Sequence, residues 1–221
     1  MAEKKEYVSY ISPKGVVKWA HLTEPQTVIG DKPVDPNYNV TLLFDPNAAD
    51  IITLSEQITK LHADALAAAK KAEPKKKLTD MGLENCFKDD TTKDGEPTGK
   101  VAFKFKHKAG GERRDKTVWS FKPFIYDAYG KPLAPGTVIY GGSIVEVNYG
   151  VKHTVMATGS FYTSLQLNAA VVSVLKSAMD RDASSFGFKL EKAEAEEGQD
   201  AFGEQLPDSG AGVDAHGSSD F

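Results

Sequence analysis

Cysteine is almost missing from this 221-residue chain, where Cys86 stands alone. A single cysteine excludes an intramolecular disulfide framework and a multi-cysteine metal site, and it fits a reducing compartment. Long hydrophobic runs are missing as well. The longest, residues 169–175, falls far short of the ~20 residues that span a bilayer. Lys4 and Lys5 are not followed by an apolar stretch, so no secretory signal is expected. The five histidines, His21, His62, His107, His153 and His216, lack the spacing of a zinc site, and no Walker, dinucleotide or nucleophile-elbow glycine motif is present. Gly141-Gly142-Ser143 precedes a strand-like rather than a helical segment, so it reads as a turn. Asp89, Asp90 and Asp94 fall in a polar stretch and read as solvated loop carboxylates rather than a nuclease centre. No catalytic residue, no metal and no cofactor are therefore expected.

Charge is unevenly spread. Residues 190–221 hold nine acids and one base, Lys192, a net −8, which leaves residues 1–189 at +4. Such asymmetry points to nucleic-acid contact and self-regulation. In the tail Gly, Ala, Ser, Asp and Glu dominate, and Phe202, Leu206, Val213 and Phe221 are isolated hydrophobes. A segment of that composition buries too little apolar surface to offset its ordering entropy. The expected division is a folded body over residues 1–188 and a disordered acidic tail over 189–221. A 32-residue flexible segment reaches roughly 30 Å, enough to fold back over a small barrel.

The body reads mainly as strands. Residues 15–22 and 38–44 are short aromatic and β-branched runs separated by Pro25, Gly30, Pro33 and Pro36. Asp45-Pro46-Asn47 supplies helix-starting chemistry, and Ile51, Leu54, Ile58 and Leu61 follow at helical spacing, predicting a helix over 48–72 that Pro74 ends. Residues 88–99 form a polar loop. Residues 100–108 alternate: Val101, Phe103, Phe105 and His107 share one face, and Ala102, Lys104, Lys106 and Lys108 the other. The two phenylalanines are expected in the core and the lysines outside. Gly110-Gly111 marks a hairpin loop carrying Arg113 and Arg114, followed by a strand over 117–126; further strands are expected over 143–151 and 163–175. Five or six strands with one helix and short turns predict a small closed barrel, of mainly β class.

Between Lys100 and Tyr126 eight basic residues interleave with six aromatics. Single-stranded nucleic acid is held by this pairing. Cations neutralise phosphates and release counterions, and aromatic faces stack on unpaired bases at about 1–3 kcal/mol each with little sequence preference. The candidate DNA-binding residues are Lys104, Lys106, Lys108, Arg113, Arg114, Trp119, Lys122, Lys152, Phe161 and Tyr162, with Trp19, Tyr38 and Tyr126 as further aromatic candidates. A phenylalanine after an acidic run offers a ring and a carboxylate to an apolar, basic-rimmed pocket on a partner, which makes Asp214, Asp220 and Phe221 candidate partner-binding residues.

The order and spacing of several segments resemble the single-stranded DNA-binding proteins of T-seven-like bacteriophages. The likeness rests on GKVAFKFK at 99–106, Asp127-Ala128-Tyr129-Gly130-Lys131 and the Gly141-Gly142-Ser143 turn. It also rests on Thr158-Gly159 followed by Ser164-Leu165-Gln166-Leu167, the alanine-rich helix, and the tail with Asp220-Phe221. The resemblance implies an OB-fold and sequence-tolerant binding of single-stranded DNA in replication, recombination and repair. It implies recruitment of the phage DNA polymerase and helicase-primase through the tail, strand annealing, a homodimer, residence in the host cytoplasm and no membrane partner. The family places basic and aromatic residues after the Gly-Gly-Ser strand. Here that segment is Val151-Lys152-His153-Thr154-Val155-Met156, where Lys152 keeps the charge and a tyrosine is absent; His153, Phe161 and Tyr162 are the substitutes. The competing expectation is a β-barrel structural virion protein with no nucleic-acid role.

Overall fold

The computed structural model describes residues 8–177. The expected boundary near residue 188 and the acidic segment with Asp214, Asp220 and Phe221 lie outside the described residues. The elements run β1 (Tyr10–Ile11), β2 (Gly15–Ile29), β3 (Lys32–Phe44), α1 (Ala49–Ala72), β4 (Thr79–Asp80), β5 (Phe87–Thr91) and β6 (Pro97–Lys108). Then come β7 (Gly110–Glu112), β8 (Val118–Ser120), β9 (Phe124–Asp127), β10 (Ile144–Val155) and β11 (Ser160–Val174).

Five of these strands close a ring. β2 pairs β3, β3 pairs β6, β6 pairs β11, β11 pairs β10, and β10 returns to β2. All five contacts are antiparallel except β11 with β6, where Leu165 lies beside Phe105 in parallel register. Numbered along the barrel, the order is 1-2-3-5-4 with closure back to 1, the Greek-key arrangement of an OB-fold. Closure leaves no free edge in the barrel itself.

Alternation fills the interior. Val17, Val40, Leu42, Phe103, Phe105, Val145, Val147, Tyr149, Leu165 and Leu167 are all buried. Lys104, Lys106 and Lys108 stand outside on the other face of β6, as a period of two requires. Ile51, Leu54 and Ile58 of α1 join the same core, so one stripe of the helix is apolar. His62, one turn further along this stripe, is also buried. Its Nδ1 lies 2.7 Å from Thr163 Oγ1 and its Nε2 3.0 Å from Asp80 Oδ1.

Several local expectations change. The turn material read between residues 22 and 38 is mostly paired strand, since β2 runs on to Ile29 and β3 starts at Lys32. Asp45 does not cap the helix; its carboxylate accepts the Asn47 N–H at 2.9 Å, and Ala48 takes the cap position without a side-chain hydrogen bond. The strand expected over 117–126 is two, β8 and β9. Pro123 lies between them, and a proline supplies no N–H to a ladder. Part of the expected loop 88–99 is the strand β5, and Asp90 in it is buried, paired with Lys18 and accepting from Thr98 Oγ1 at 2.8 Å.

Candidate nucleic-acid interface

Gly110-Gly111 is not the hairpin turn but part of β7, and the reason is Trp119. A Cβ at Gly110 would lie 2.8 Å from the Trp119 carbonyl oxygen, and one at Gly111 would lie 3.3 Å from the indole Nε1. Gly110 thus lets the Trp119 backbone approach, and Gly111 leaves a flat seat beneath the indole. The turn proper falls at 113–117, where Arg113 N–H donates to Thr117 O at 2.9 Å, so Arg113 and Arg114 project from the hairpin tip.

Seated in this way, Trp119 walls an open cleft of about 230 Å3, lined also by Lys106, His107, Lys108, Lys152, Ser164 and Gln166. Four elements converge here. β6 supplies the two lysines and His107, β8 the indole, and β10 supplies Lys152, which sits across from Ser164 of β11 in register. Buried Leu165 turns inward between Ser164 and Gln166, so those two form a polar outer floor. Lys106 and Lys152 form no ion pair among the described residues. Three ammonium groups, a hydrogen-bonding floor and an aromatic wall suit a phosphate backbone carrying unpaired bases.

Lys108 is not free. Its Nζ donates to Asp35 Oδ2 at 2.8 Å, and Lys108 beside Asp35, with Lys106 further off, holds that carboxyl below the usual range. The pair is exposed, hence weak in water, and a phosphate would compete with Asp35 for the lysine. Asp35→Asn should therefore raise affinity for single-stranded DNA roughly two- to fivefold, most at low salt. Fluorescence titration of the variant checks this; unchanged affinity would mean that Lys108 does not meet the strand.

His107 anchors the wall. Its ring stacks on Phe121 with centroids 3.6 Å apart at 26° and meets Trp119 edge-on at 6.1 Å and 84°. Nδ1–H donates to the Lys108 carbonyl at 2.8 Å. Burial, and to a lesser degree the Lys152 charge, push its pKa below 6.5, against the opposing pull of that hydrogen bond. His153 is likewise held down by burial and by His62, and its Nδ1 lies 2.9 Å from Thr163 Oγ1. Asp80 only accepts, so His62 Nε2–H donates to it, and Thr163 Oγ1 bridges His62 Nδ1 and His153 Nδ1. Both His107 and His153 favour the neutral form in the fold, while the unfolded chain protonates near 6.5. Their contribution to stability is thus complete above about pH 6.5 and is lost as pH falls below it. Urea midpoints should drop from pH 7.5 to pH 5.5, and His153→Gln should flatten that drop. A midpoint independent of pH across this window would contradict the assignment.

The structure separates the other expected site residues. Lys122 lines a different, apolar cleft of about 240 Å3 with Pro123, Phe124, Tyr126 and Leu133. Lys104, two residues from Lys106, opens instead on a cleft with Trp19 and Lys88. Tyr162 is half-buried on the outer face of β11 opposite Thr154 and does not line the Trp119 cleft. Phe161 is a correction: it is 1% exposed, packed edge-on to His62 at 5.3 Å and parallel to His153 at 5.9 Å, so it presents no face to a base. Tyr38 is also buried, edge-on to Phe121. Cys86 is buried, which pushes its thiol up to about 12 and leaves it a poor nucleophile. Among the described residues no group of His, Cys, Asp and Glu comes together to hold a metal, and no helix is long and apolar enough to cross a membrane. His107, Ser164, Gln166 and Asp35 also line or border the cleft and were not singled out for binding in the sequence. His107 left a signal as a polar ring continuing the apolar face of β6, and Ser164 and Gln166 left one by alternating with Leu165 and Leu167.

Strand order and the parallel closing pair together define an OB-fold barrel. Solved structures with this fold include gp2.5, a single-stranded DNA-binding protein encoded by bacteriophage T7. That likeness has 20% identity and a TM-score of 0.62 over 85% of this chain and 97% of that one. The single-stranded DNA-binding protein from bacteriophage Enc34, in complex with single-stranded DNA, shares 16% identity with a TM-score of 0.54 over 80% of this chain and 98% of its own. No protein-family model and no curated protein matches the chain.

Proposed function

We propose that this protein coats single-stranded DNA, with little base preference and without catalysis, in phage DNA replication, recombination and repair. The observation that carries the reading is the cleft in which Lys106 and Lys152, neither in an ion pair among the described residues, flank Trp119 over a polar floor. Cations and a ring face, without a rigid fork of base-reading donors, favour backbone tracking and stacking over base readout. The two phage proteins with this fold bind single-stranded DNA by their own descriptions, which supports the reading.

The acidic segment completes it. With −8 on residues 190–221 against +4 on the rest, the segment competes with DNA for the lysines. Once displaced, it recruits the phage DNA polymerase and helicase-primase through Asp214, Asp220 and Phe221. Annealing of complementary strands, a homodimer and action in the host cytoplasm belong to the same reading.

A gel-shift assay on single-stranded and duplex oligonucleotides at two salt concentrations tests the binding. Preference for the single strand and weakening with salt are expected. Equal affinity for duplex, or indifference to salt, would defeat it. Removing residues 190–221 should tighten binding at low salt; a truncated chain that binds no better would remove the competition from the account.

A further inference from the structure

We propose that the bound strand runs on from the Trp119 cleft across Lys104 into a second cleft, where a base stacks on Trp19. The proposal rests on the DNA-binding reading above and extends its footprint along the same face of β6.

Trp19 is placed there by a defect in β2. Val17 pairs with Leu42 and is buried, and regular alternation would turn Trp19 inward as well. The register slips between them, so that Trp19 sits across from Thr41 while Lys18 is the extra residue. Such a bulge re-aims a side chain, and the indole ends 59% exposed. A single exposed hydrophobe means little by itself; what surrounds this one decides the matter. Thr41 pairs on its other side with Lys104, so Trp19, Thr41 and Lys104 form one row across β2, β3 and β6. The cleft at this row holds about 240 Å3, and Lys88 and Lys18 join its lining.

The charges there are unbalanced. Lys18 is occupied, bonded to Asp90 and donating to the Thr91 carbonyl at 2.9 Å. Lys88 and Lys104 form no ion pair among the described residues, and Glu84 is the remaining acid of the lining. Lys104 is depressed first by burial, then by the charges of Lys106 and Lys88. A row of mutually repelling ammonium groups is relieved by an anion. Lys104 and Lys106 lie two residues apart on one face of β6, about 7 Å, and they belong to the two clefts respectively. The positive track is thus continuous, and each end carries one of the chain's two tryptophans.

Those two tryptophans make the test direct. Trp119→Phe leaves Trp19 as the reporter, and Trp19→Phe leaves Trp119. Each full-length variant is titrated at low salt with oligothymidylates of about 4 and about 16 nucleotides, the range of site sizes for one OB-fold. The longer strand should quench both reporters at one strand per protein. Trp19→Ala should weaken binding of the longer strand roughly tenfold, the size of one lost stack, and leave the shorter strand and the Tm unchanged. If the longer strand quenches Trp119 but not Trp19, the track stops at Lys106 and the inference falls while DNA binding stands. A second strand needed to quench Trp19, or equal losses on both lengths, also overturns it. If neither tryptophan responds and no mobility shift is seen, the DNA-binding reading itself is lost.

Discussion

Replacing Lys106 and Lys152 together by alanine should lower affinity for single-stranded DNA by about an order of magnitude or more at low salt, with no change in Tm. The two lysines approach the Trp119 cleft from different strands, and neither is tied to an acid among the described residues. Each is available to a phosphate without breaking an existing pair. If each neutralises one phosphate, the slope of log affinity against log salt should fall by about 1.4 for a single strand. Exposed, unpaired lysines contribute little to folding, so thermal melts of variant and parent should coincide. Retained affinity with an unaltered salt slope would move the binding surface elsewhere; a lowered Tm would mean that the lysines are structural.

Phe103→Ala should do the reverse. The ring is fully buried, edge-on to Phe44 at 5.4 Å and stacked on Phe87 at 5.0 Å. Truncation removes that area and leaves a cavity beside Phe44 and Phe87 into which the surrounding structure relaxes only in part. The expected loss is about 3–5 kcal/mol in denaturant unfolding. DNA affinity, corrected for the folded fraction, should be unchanged because the lysines next to Phe103 and Phe105 project from the opposite face. A variant that keeps its stability and loses binding would reverse the faces of β6.

The alternation of residues 100–108 was legible in the sequence because a half-buried strand has only one solution: period two with the apolar set inward. The helix over 49–72 was legible for the same kind of reason, its apolar residues recurring at helical spacing. Lateral neighbours were not. Alternation says that Lys104, Lys106 and Lys108 share a face, but not that β5 and β11 take successive stretches of the same edge of β6. That handover separates Lys104 from Lys106 by cleft. Lys108 finds Asp35 across a distance in sequence that no local pattern encodes. The far half of β2 was read as turn material because Pro25 stands within it and Gly30 follows it; the hairpin partner β3 supplies its pairing instead. Trp19 was legible as an aromatic but not as an exposed one, since the bulge that turns it out is a property of the ladder.

The parallel contact of β11 with β6 has a consequence for the order of assembly. Phe105 and Leu165 are sixty residues apart in sequence, and the β11 strand is the last to be synthesised of the five that close the ring. Such long-range pairing forms late, after loop-closure entropy has been incurred. Until residues 160–174 emerge, the outer edge of β6 has no strand beyond β5, and Lys106 and Lys152 have no Ser164 and Gln166 between them. The cleft is therefore complete only once the barrel has closed, so a chain still on the ribosome short of β11 carries the lysines but not the polar floor between them.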